Sequence, residues 1–133
     1  MSRAIIYATN SNNQTVGIGG IVSPGTVVRR YGCNCQLSGN GIVISGTGYY
    51  DISATVTLTP TAAGTVTASI YQDGVPLQGA TASATVAAVD TTVTLPVIGV
   101  ARLMCCNSAS NLTMVIEGVE SDISRYTIKV EKT

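Results

Sequence analysis

Four cysteines are the residues best suited to chemistry in this chain, and they fall in two pairs, Cys33 with Cys35 and Cys105 with Cys106. Four thiolates could hold a tetrahedral zinc ion, but neither pair has the usual spacer between ligands and the chain has no histidine. Adjacent cysteines on a strand also face opposite sides. Disulfides need an oxidising compartment. The opening residues, Met-Ser-Arg-Ala-Ile-Ile-Tyr-Ala-Thr-Asn, lack the basic start, apolar core and cleavage site of a secretory signal. We therefore expect free thiols packed as small hydrophobes, in a protein made in a cytoplasm.

The carboxylates are Asp51, Asp73, Asp90, Glu117, Glu120, Asp122 and Glu131. All fall on alternating polar faces, in turns or in loops, so no two should be buried together as a glycosidase pair would be. Glu117, Glu120 and Asp122 could gather a calcium ion, but their loop lacks the pattern of a known site, and solvated charges explain them more simply. Without histidine the commonest general acid–base is missing, as is any Ser-His or Cys-His pair. Gly17-Ile18-Gly19-Gly20 is no dinucleotide loop, because no helix follows. We expect no catalytic, cofactor or metal site, and no enzyme.

Charge narrows the partners. Seven basic and seven acidic residues cancel, and charged residues are 11% of 133, against about 25% in a typical domain. Scattered cations make no basic stripe for nucleic acid. Nor is there a long apolar run, a basic amphipathic helix or a lipidation signal for a membrane. Such sparse charge leaves two routes to solubility: well-hydrated Thr and Ser faces, or a surface covered by other subunits.

Strands must position all of this. From Tyr50 to Leu58 the even positions are apolar (Tyr50, Ile52, Ala54, Val56, Leu58) and the odd ones polar (Asp51, Ser53, Thr55, Thr57). A period of two means a strand with one buried and one wet face. Similar alternation marks residues 65–71, 80–88, 91–95, 112–116 and 126–130. Asp73-Gly74 between β-rich runs is a hairpin signal, and Pro96 should end regular pairing because it cannot donate to a ladder. Residues 4–8 and 26–31 read as short strands, Thr9–Thr15, rich in Asn and Ser, as a loop, and Gly-interrupted 16–22 as suited to a bulge or close backbone approach. The whole is one all-β domain of about eight to ten strands, the pattern of a sandwich or jelly roll.

Gly48-Tyr49-Tyr50 at the head of the long strand resembles the Gly-x-Tyr motif of tumour-necrosis-factor-like and complement globular-head jelly rolls. The hairpin around Asp73-Gly74, the strand at 112–116 and the aromatic closing strand at 126–130 follow in the same order. The similarity covers about residues 40–133 and departs from the family in lacking Phe and Trp. It implies a jelly roll assembling as a homotrimer, with Tyr50 and Tyr126 matching the motif tyrosines and placed near the axis or interface. The alternative is that both are core tyrosines with bonded hydroxyls.

The resemblance extends to small jelly rolls of phage virions. It implies a structural virion protein that decorates a phage head, its partner the major capsid protein and its assembly in the host cytoplasm. The rival is a receptor- or glycan-binding head of a fibre. We expect residues 1–28 to form an N-terminal arm that contacts capsid or subunit, and residues 29–133 the jelly roll. On that division, losing residues 1–15 should leave a folded trimer.

Overall fold

The alternation at residues 50–58 runs further in both directions. In the computed structural model, which describes residues 4–32, 34–88, 91–103 and 109–132, it lies within a strand of 13 residues, Gly48–Pro60, whose even positions from Tyr50 are all buried. The strands before it are β1 (Ala4–Asn10), β2 (Gln14–Val16), β3 (Gly20–Val22), β4 (Thr26–Tyr31), β5 (Cys35–Ser38) and β6 (Gly41–Ser45). The long strand is β7. After it come β8 (Gly64–Gln72), β9 (Val75–Val86), β10 (Val93–Leu103), β11 (Ala109–Glu117) and β12 (Ser121–Lys132).

These pair, antiparallel throughout, into two sheets. The first runs β10-β7-β12-β1-β4 with β2 added to β12; the second runs β5-β6-β11-β8-β9 with β3 added to β11. The chain is thus an all-β jelly-roll sandwich. Among the described residues its strands number 12, above the eight to ten expected, in part because residues 14–22 supply two short strands to different sheets. Val16 pairs with Ser121 in the first sheet and Gly20 with Ile116 in the second, so residues 16–20 cross the end of the sandwich. Gly19, at φ +78°, makes that crossing and donates its N–H to the Ile116 carbonyl at 2.7 Å.

Between the sheets lies one apolar core, including Ile6, Ile42, Ile44, Ile52, Leu58, Ile70, Met114, Ile116 and Ile128. Burial of each such side chain contributes about 1.5–3 kcal/mol before entropy is counted. The β8–β9 hairpin turns at Asp73-Gly74 with both residues at positive φ, 53° and 83°. That is the two-residue turn whose twist suits antiparallel strands.

Three expectations need correction. Pro96 does not end pairing: it lies opposite Thr55 inside β10. The reason is position, since β10 is the edge of its sheet and a missing N–H can face away from the ladder. Second, the described part of residues 1–28, from Ala4 on, is not an arm set apart from the sandwich. β1 lies between β12 and β4, and its Ala4, Ile6 and Ala8 are fully buried. Removing residues 1–15 would take core side chains and a central strand with it. Third, residues 9–15 are only partly loop, because β1 runs to Asn10 and β2 begins at Gln14.

Candidate assembly face

The first sheet turns one face to the core and one outward. Antiparallel register places its outward side chains in rows across the strands. One row reads Val100, Asp51, Glu131, Ile5, Tyr31, and the next Ile98, Ser53, Lys129, Tyr7, Arg29. Further along come Pro96, Thr55, Thr127 and Thr9. The centre of the face is charged and polar, the β10 flank is apolar, and the β4 flank sets Tyr31 beside Arg29. Ile98 is 69% exposed, Val100 55% and Tyr31 68%. Tyr49 stands exposed at the β7 end of the same face, with the Arg102 guanidinium over its ring at 5.7 Å from the centroid.

A groove of about 550 Å³ opens on this face, lined by Asp51, Ser53, Lys129 and Glu131 with Ile98 and Val100 on one wall. The β9 residues Gln78 and Gly79 close its side. β9 reaches it because Gly99 has no side chain: a Cβ there would lie 2.7 Å from the Ala80 Cβ. Apolar side chains on both phases at Val97-Ile98-Gly99-Val100 were the sequence signal for this flank. Alternation reports the inward phase alone, so it does not distinguish Ile98, Val100, Tyr7 and Tyr49, which the structure leaves exposed.

The two tyrosines expected near an axis or interface are buried within the chain. Tyr50 is 0% exposed and Tyr126 2%. Both belong to the interior of the single chain and offer a neighbour no side-chain surface. The Tyr50 hydroxyl donates to the carbonyls of Ser45 and Gly46, the latter at 2.8 Å, and pins the β6–β7 turn. Burial chiefly, with Cys35 nearby, raises the Tyr50 pKa, and a hydrogen bond involving Asn34 opposes the shift. Burial alone raises that of Tyr126.

The remaining candidates are dispersed. Cys35 is a free, fully buried thiol, which burial pushes up to about 11 against the pull of Arg30 and Lys132. Such a group is a poor nucleophile or ligand at neutral pH. Cys33, Cys105, Cys106 and Asp90 lie outside the described residues. Glu117 accepts from the Tyr71 hydroxyl at 3.1 Å and Asp122 from that of Thr15 at 2.7 Å, so these two acids engage different partners. Among the described residues, no three acidic or thiol side chains gather as a metal site.

No family model matches this chain, and no curated protein matches its sequence. The fold, however, matches solved structures nearly end to end. The Eiger TNF of S. frugiperda superposes with a TM-score of 0.72 at 10% identity, over 98% of this chain and 91% of that one. The PRD1 vertex protein P5 gives 0.62 at 12% identity, over 97% and 96%. The globular domain of zebrafish complement 1qA gives 0.63 at 7%, over 96% and 94%. The chain therefore has the tumour-necrosis-factor-like and complement-head jelly-roll fold. Coverage of 96–98% of this chain carries the similarity beyond residues 40–133.

Proposed function

We propose that this chain is a structural phage virion protein, a homotrimeric jelly roll that decorates and stabilises the head by contact rather than catalysis. The observation that carries this reading is the near end-to-end likeness to a virion vertex protein, with almost nothing added or missing on either chain. The outward face of the first sheet supplies the subunit contact, with Ile98, Val100, Tyr7 and Tyr49 as its apolar elements. The apolar β10 edge, Ile98 and Val100, suits the dry core of such an interface, with the charged centre of the face falling at its wet rim.

The partner is the major capsid protein, met in the host cytoplasm during assembly. Its contact on this chain lies within residues 1–28, at the crossing between the sheets, where Ile18 is 69% and Ile21 43% exposed. A trimer would present that tip three times, and linked weak contacts raise the overall affinity. The test is co-sedimentation with empty heads. Wild type should pellet with them, and an Ile18→Asp, Ile21→Asp variant should stay in the supernatant while keeping its own assembly state. Failure of wild type to pellet overturns the decoration role.

A second reading follows from the likeness to the TNF and the complement head, whose TM-scores of 0.72 and 0.63 are no lower than that of the vertex protein: a receptor- or glycan-binding head. Binding on a glycan array without binding to heads would select it.

A further inference from the structure

We infer that β4 is a docking edge that accepts an extended, acidic segment of another polypeptide as an added strand. β4 closes the first sheet, so one side of its backbone pairs with β1 and the other has no strand beside it among the described residues. All six of its residues are exposed. An edge of this kind offers a row of N–H and C=O groups to a further chain. Val27 is 38%, Val28 41% and Tyr31 68% exposed, which adds apolar contact for alternate side chains of an incoming strand.

Charge selects the occupant. β4 carries Arg29 and Arg30, and neither it nor the adjacent β1 contains an acid. Arg29 projects from the outward face beside Tyr7, which is flanked on its other side by Lys129. Arg30 takes the opposite phase and donates through Nε to the Cys35 carbonyl at 3.0 Å, tying β4 to the other sheet. The nearest acid on the face, Glu131, lies two strands away, in the row of Ile5 and Tyr31. A second copy pairing through the same edge would bring arginines together, and like charges across strands are unfavourable. A strand with Glu or Asp opposite Arg29 meets no such repulsion. The inference does not depend on the virion reading, because the edge and its charges belong to the isolated chain.

The test is a titration of the isotopically labelled protein, followed by amide NMR, with an end-blocked hexapeptide of alternating Glu and Val. A Lys-Val hexapeptide is the control. The acidic peptide should shift amides of residues 26–31 and slow exchange of the β4 N–H groups that face away from β1. Arg29→Glu should weaken that binding about tenfold. Added salt should weaken it too. Equal response to both peptides, shifts confined to other strands, or no response would overturn the inference. In the last case, self-association of the Arg29→Glu protein would identify the arginines as guards against edge pairing.

Discussion

The buried thiol of Cys35 illustrates what single side chains do in this protein. Its pKa is raised to about 11 from an ordinary 9, so the folded state keeps its proton longer than the unfolded one. Stability from this group is complete below the unfolded value and is lost as pH climbs from about 9 through 11, by roughly 3 kcal/mol at most. Urea midpoints measured across that range should fall less steeply in Cys35→Ala than in wild type. Equal slopes would mean that the thiol is not held neutral by burial. At this scale sequence was a mixed guide. Phase put Tyr50 with Ile52 and Ala54, and that is where it lies, inside. The motif resemblance pulled the same residue towards an interface because a tyrosine can serve either place. The backbone carbonyls that take its proton belong to a turn whose shape no alternation reveals.

Strands were legible where one face is buried and the other wet. β7, β8, β11 and β12 all contain the alternating stretches expected of them. β2 and β3 were harder, because three-residue strands carry too few positions to show a period. β4 is exposed throughout, so its sequence lacks a hydrophobic phase altogether. Pro96 shows the same limit from another side, since only the sheet order reveals that its strand is an edge. The close approach of β9 to β10 makes a sharper prediction. Gly99→Ala should destabilise by about 1–3 kcal/mol through overpacking against Ala80, and adding Ala80→Gly should recover part of that loss. Chemical denaturation of the single and double variants measures the coupling. Additive effects would show that the Gly99–Ala80 approach does not hold the two edges together.

For the whole molecule, sparse charge posed a choice between hydrated hydroxyl faces and covered surface, and the two sheets divide it. The second sheet carries cross-strand hydroxyl pairs, Thr65 with Thr85 at 3.0 Å, Thr67 with Ser83 at 3.2 Å and Ser69 with Thr81 at 3.1 Å. The first has its own, Thr57 with Thr94 at 3.2 Å and Thr59 with Thr92 at 2.9 Å. Among the described residues the first sheet exposes more large apolar side chains, Ile98, Val100, Tyr7, Tyr31 and Tyr49, where the second exposes Val75 and Ile21. That asymmetry was not legible in the sequence, because it depends on which strands share a sheet. It is why we propose self-association through the first sheet and function by contact. Sedimentation equilibrium of the purified protein tests this most directly. The account predicts a mass of three 13.6 kDa chains, reduced to one by Ile98→Glu with Val100→Glu while the strand signature in circular dichroism is kept. A single-chain mass at every concentration, or a trimer indifferent to those two substitutions, would contradict it.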